Sequence, residues 1–88
     1  MYRVIATDEF LKQYRSIPLN IQKRFEKQEA YFRINPLHPS LHTEKLIPKA
    51  KQIWSFRVDQ SYRVIFRFLE GESIALLGIG THDRIYKF

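Results

Sequence analysis

Arg57 and Arg63 are the first residues in this 88-residue chain whose spacing points to chemistry. They flank the short polar break Asp59-Gln60-Ser61. If Gln60 is the centre of a three-residue turn, Arg57 stands directly across from Arg63. Like charges directly opposite one another destabilise a strand pair. An anion held between the two would remove that cost. A plain solvated basic face, or a turn of different length that separates the pair, is the other reading. His82 adds an imidazole, a side chain that can give or take a proton. The loop from Pro36 to Gln52 adds His42, Glu44, Lys45, Lys49 and Lys51, with three prolines and a second histidine, His38. It is long for so small a domain, and long loops carry function more often than cores do. His38, His42, His82 and Asp83 match no metal-ligand spacing, so a metal site is not expected.

The elements that must position these residues follow from the apolar pattern. Residues Ile53 to Tyr86 form three β-prone runs separated by Asp59-Gln60-Ser61 and Glu70-Gly71-Glu72, the pattern of an antiparallel meander. With turns centred on Gln60 and Gly71, Val58 faces Tyr62, Phe56 faces Val64, Trp54 faces Phe66, and Phe68 faces Ile74, all on one side. The other side carries Ser55, Arg57, Arg63, Ile65 and Arg67.

Tyr2 to Ile5 is a further short strand. Thr7 or Asp8 then caps a helix with Glu9 in its first turn, and Phe10, Leu11, Tyr14 and Ile17 follow at helical spacing. Pro18 closes that helix and opens the next. Ile21, Phe25, Phe32 and Ile34 form the apolar stripe of the second helix, whose charged residues make a solvated face. Glu29 and Arg33 are spaced for an ion pair, and Asn35-Pro36 ends the helix. Leu41 and Leu46 are expected to pin the loop to the core. The expected fold is α+β: an N-terminal strand, a two-helix hairpin and a three-stranded antiparallel meander, with both helices on the aromatic face. The arginine face is then left open.

The length fits a single domain spanning residues 1–88, and seven Phe, five Tyr and one Trp supply its core. With no cysteine, disulfides and thiolate metal sites are excluded, which suits a cytoplasmic location. No run is long and apolar enough to span a membrane, and the N-terminal residues lack a signal-peptide core. The net charge of +6 favours a polyanion or an acidic protein as partner.

The ordered segments FLKQYRSIP, INP, PSLHTEKL, WSFRVDQSYRVIF and LLGIGTHDRIY together resemble the RelE/ParE toxin superfamily of type II toxin–antitoxin systems. They are most similar to the branch of ribosome-associated mRNA interferases that includes RelE, YoeB, HigB and YafQ. The resemblance implies an endoribonuclease that cuts mRNA on the ribosome by attack of a 2′-hydroxyl on the adjacent phosphate. That reaction needs neither a metal nor a small-molecule cofactor. By this resemblance Arg63 holds the scissile phosphate and Arg57 stabilises the transition-state charge. His82 exchanges a proton with the leaving 5′-oxygen, and Tyr86 stacks on a base or orients the phosphate. Glu44 is the candidate general base, with His42 the alternative. His42, Lys45, Lys49, Lys51 and Arg67 are the expected RNA contacts. The chain departs from RelE itself in lacking a lysine pair before the hairpin, where Trp54, Ser55 and Phe56 stand. Ser61 replaces the YafQ-like aspartate after the turn. The resemblance also implies an acidic cognate antitoxin that folds on the basic surface. A ParE-like toxin that binds DNA gyrase, or a relative that only binds antitoxin or RNA, are the other functions compatible with these residues.

Overall fold

The computed structural model describes residues 1–86. Its elements are β1 (Arg3–Ala6), α1 (Asp8–Tyr14), α2 (Leu19–Ile34), β2 (Glu44–Lys45), β3 (Trp54–Arg57), β4 (Tyr62–Leu69), β5 (Ser73–Thr81) and α3 (His82–Ile85). The five strands form one sheet in the order β1-β5-β4-β3-β2. The meander pairs antiparallel, with Trp54 opposite Phe66, Phe56 opposite Val64, Arg57 opposite Arg63 and Phe68 opposite Ile74. The β3–β4 turn is closed by Asp59, whose Oδ1 accepts the backbone N–H groups of Ser61 and Tyr62 at 2.9 and 2.7 Å. A short polar side chain that bonds the backbone two or three residues on is what makes such a turn cheap to form.

Thr7 caps α1: its Oγ1 accepts the Phe10 N–H at 3.2 Å and donates to the Leu76 carbonyl at 2.8 Å. The strand-to-helix junction is therefore fastened to β5, which β1 joins in parallel. Beyond Leu76 the outer edge of β5 is no longer paired with β1. There Gln13 of α1 takes over, its Oε1 accepting the Ile79 N–H at 2.9 Å. A side-chain amide thus satisfies a strand edge that would otherwise be open.

The main core lies between the helices and one sheet face. Phe32, Phe56 and Phe66 are fully buried, and Phe32 meets Phe56 and Phe66 at ring-centroid distances of 4.6 and 4.9 Å. Phe10, Ile21 and Phe25 fill the space under the hairpin, and Leu41 pins the loop from below. Two expected core residues are outside it: Leu11 is 41% exposed and Ile34 is 70% exposed. Leu11 lies off the stripe that Phe10 and Tyr14 direct at α2, and Ile34 is the last residue of its helix.

Two further expectations are corrected. The stretch from Pro36 to Gln52 is not irregular throughout: Glu44 and Lys45 form the edge strand β2 on β3, with single helical turns at Pro39–Leu41 and Lys49–Lys51. Nor is the arginine face left open. α3 folds back over it, and Ile53, Ile65 and Ile85 form a second, smaller core with Leu46, Leu77 and Tyr86 packed around them. Gly78 and Gly80 make room for this return. A Cβ on Gly78 would lie 2.8 Å from Gln13 Oε1 and 3.4 Å from Ile85 Cδ1.

Candidate functional site

The register sets out the site in two rows across the sheet. One row is Glu44, Ser55, Ile65 and Gly78 on β2, β3, β4 and β5; the other is Arg57, Arg63 and Gly80. Both rows are on the face away from the hairpin. They are two residues apart along each strand, about 7 Å.

Tyr86 joins the first row. Its hydroxyl lies 3.0 Å from Ser55 Oγ and 3.3 Å from Glu44 Oε1. The hydroxyl of Ser55, only 1% exposed, is bonded to that tyrosine. The His82 ring stands edge-on to Tyr86 with centroids 4.3 Å apart, and its backbone N–H donates to the Ser61 carbonyl at 2.8 Å. Glu44, Ser55, Tyr86 and His82 are therefore contiguous, although they come from β2, β3 and the C-terminal turn. The contact between His82 Nδ1 and Asp83 Oδ1 is long, 3.6 Å, and Asp83 is fully in solvent, so it does little to hold the ring.

Arg63 is 8% exposed. Its Nη1 donates to the carbonyls of Asp59, Gln60 and Tyr62 at 2.8, 3.0 and 3.2 Å. The β3–β4 turn thus holds the guanidinium by one nitrogen. Among the described residues Nε and Nη2 have no partner, and no buried side-chain donor is left unsatisfied, so both open to solvent. A planar fork fixed at one corner with its other donors outward is suited to an oxyanion. Arg57 across from it is exposed. Gln28 Nε2 steadies the Arg57 carbonyl at 2.9 Å.

The remaining sequence candidates are spread more widely. Lys45 pairs with Trp54, and its Nζ lies 5.8 Å from that ring, on the opposite face from Glu44. Arg67 donates to the Lys51 carbonyl at 2.9 Å and so ties the loop to β4. Lys49 and Lys51 are exposed on the helical turn before β3. His42, exposed and in the left-handed region, has no part in the Glu44–Tyr86–Ser55 chain. Among the described residues no three His, Cys, Asp or Glu side chains converge as a metal site would require. Beside Tyr86 the loop borders a pocket of about 270 Å³ lined by Glu44, Lys45, Leu46, Ile47, Pro48, Lys51, Ile53 and the tyrosine.

Ser55 is the site residue that sequence reasoning missed. The signal was present: a small polar residue on the arginine face of a strand otherwise aromatic or charged.

The sequence from residue 9 to 79 matches the family model of HigB-like toxins, described as the RelE-like toxin of the type II toxin–antitoxin system HigB. The chain belongs to the HigB-like, RelE-like toxins. No curated protein matches it by sequence. Its fold is that of several solved toxins. The archaeal RelE–RelB complex from Pyrococcus horikoshii superposes with a TM-score of 0.76 at 22% identity, covering 94% of this chain and 97% of that one. The YoeB/ParE toxin from Agrobacterium tumefaciens gives 0.75 at 14% identity, covering 91% and 98%. The RelB–RelE complex from Methanococcus jannaschii gives 0.74 at 18%, covering 94% and 95%. Among the described residues of this toxin, no helix is long and apolar enough to cross a membrane.

Proposed function

We propose that this toxin is a ribosome-dependent endoribonuclease that cleaves mRNA by attack of a 2′-hydroxyl. The observation that carries the reading is the contiguity of Glu44, Tyr86 and His82 one row from the Arg57–Arg63 pair. In this reading the scissile phosphate lies on the outward donors of Arg63 with Arg57 beside it. Glu44 takes the 2′-hydroxyl proton, the O2′–P bond forms, and the two arginines meet the charge that builds on the phosphorane. The P–O5′ bond then breaks, and His82 gives a proton to the leaving 5′-oxygen. The products are a 2′,3′-cyclic phosphate and a 5′-hydroxyl. Tyr86, bonded to Ser55, holds Glu44 and limits the swing of the His82 ring. Lys49 and Lys51 add salt-dependent contacts to RNA phosphates.

The same reading gives the toxin an acidic antitoxin as its partner and the cytoplasm as its place of action. Net charge and the RelB partners of the solved relatives support the partner.

The test is primer extension on a defined mRNA translated in a cell-free system, with wild type, Arg63→Ala and His82→Ala. Cuts within codons that require translation and fall about 100-fold or more in both variants are expected. Intact mRNA from a folded wild type overturns the nuclease reading. If such a toxin still poisons cells, a gyrase-type target replaces it.

A further inference from the structure

Consecutive carbonyls of the β3–β4 turn, from Asp59 to Tyr62, all bond to site residues. Those of Asp59, Gln60 and Tyr62 receive Arg63 Nη1 at 2.8, 3.0 and 3.2 Å. The carbonyl of Ser61 receives the His82 backbone N–H at 2.8 Å. Register explains the last contact. Tyr62 stands opposite Thr81, so the turn extends the β4–β5 ladder by one bond into the start of α3. One stretch of backbone therefore holds both the guanidinium and the foot of the residue that carries the imidazole.

A stretch that aims its carbonyls in this way must have its own shape fixed. Gln60 and Ser61 are exposed, so burial of their side chains does not fix it. Asp59 does. The N–H groups of Ser61 and Tyr62 both go to its Oδ1, and the Tyr62 carbonyl closes the turn by accepting the Val58 N–H at 3.0 Å. Among the described residues Asp59 forms no ion pair with Arg63, so it reaches that arginine through the backbone and not through charge.

We propose that Asp59 is a positioning residue for cleavage. By shaping one turn it aims the Arg63 fork and fixes the His82 backbone relative to that fork. Asp59 itself moves no proton. What the two held residues do rests on the nuclease reading, but the way they are held can be read without cleavage.

The experiment compares three variants. Asp59→Asn keeps the acceptor and drops the charge, Asp59→Ser makes the same turn more weakly, and Asp59→Ala has no acceptor. In single-turnover mRNA cleavage, Asp59→Asn should stay within about threefold of wild type and Asp59→Ala should fall about 10- to 100-fold, with Asp59→Ser between them. In a cycle with Arg63→Lys, Asp59→Ala should add little to the loss, because both act on one guanidinium. A turn that merely stabilises the fold would give a loss that adds in full. A second readout needs no RNA. Solvent exchange of the Arg63 guanidinium protons and of the His82 amide, followed by NMR, should quicken together by about 10-fold or more in Asp59→Ala, with the Ile74 amide unchanged. Asp59→Asn should leave all of them as in wild type.

Wild-type cleavage by a folded Asp59→Ala would overturn the proposal. So would equal losses in Asp59→Asn and Asp59→Ala, which would place the effect on the charge. If Asp59→Ala does not fold, Asp59→Ser decides, and activity equal to that of Asp59→Asn would overturn it. A wild-type toxin that cuts no mRNA sinks the nuclease reading alone. The exchange rates then decide: joint release of Arg63 and His82 in Asp59→Ala keeps the turn as their common support, and unchanged exchange at either overturns it.

Discussion

Phe32, Phe56 and Phe66 are withdrawn from solvent under the helical hairpin, whereas the other face of the sheet is covered only in its middle, by Ile53, Ile65 and Ile85. Around that small patch the second face keeps side chains that bond instead of pack: Arg63 on three turn carbonyls, Tyr86 between Ser55 and Glu44, Arg67 on the loop. One face spends its residues on burial, the other on fixed polar geometry. The difference teaches how 88 residues can hold both a core and a site: the sheet is the wall between them, and alternation along each strand assigns every residue to one side.

Substitutions on the two faces test that division, and the largest effect is expected on the first. Phe66→Ala should cost about 3–5 kcal/mol in urea denaturation, whereas Ile65→Ala, one residue away on the thin core, should cost about 2–3 kcal/mol. Equal losses would mean that the second patch carries as much of the fold as the first. Next comes Arg63→Lys. It keeps the charge and loses the fork, so mRNA cleavage should fall about 100-fold while far-UV circular dichroism is unchanged. A lysine variant with wild-type activity would reduce Arg63 to a turn clamp.

Gly78→Ala sharpens the boundary between the faces. The new methyl would meet Gln13 Oε1 at 2.8 Å and break its bond to the Ile79 N–H, at a cost of about 1–3 kcal/mol. Pairing it with Gln13→Ala should give a loss less than additive, because both remove one contact. Full additivity in a double-mutant cycle would refute that link.

The smallest effect is on the helical side. Burial, with the Glu26 and Glu29 carboxylates adding to it, pushes the Tyr14 phenol above its usual 10.0. The folded chain then keeps a proton that the unfolded chain releases, so stability should fall as the pH rises past about 10. Tyr14→Phe should flatten that fall, and an unchanged slope in denaturation at pH 9 to 11 would count against it.

The meander was legible in the sequence because two three-residue turns fix the pairing, and from that pairing Arg57 opposite Arg63 follows without further information. The helices were legible from their spacing and caps. Glu44 beside Tyr86 was not. It depends on a two-residue strand that shows no periodicity and exists only because β3 offers a free edge. It depends equally on α3 folding back across Gly78 and Gly80, a long-range event for which the glycine pair is the one local sign. The family resemblance named the same side chains, but their contiguity is a fact of packing. The clamp on Arg63 was hidden for a related reason: backbone carbonyls that receive a guanidinium leave no mark in the residue types around them.

The parallel pairing of β1 with β5 has a consequence for the birth of the molecule. Thr7 and Leu76 are 69 residues apart, and their contact closes nearly the whole chain into a loop. Contacts so distant in sequence cost closure entropy before they return any stability, and they slow folding. During synthesis β1 has no partner until β5 has been made, and the turn that carries His82 and Tyr86 comes later still. A growing toxin chain therefore has neither a finished sheet nor an assembled site for most of its time on the ribosome that makes it. Its topology leaves the sheet incomplete until β5 is in place.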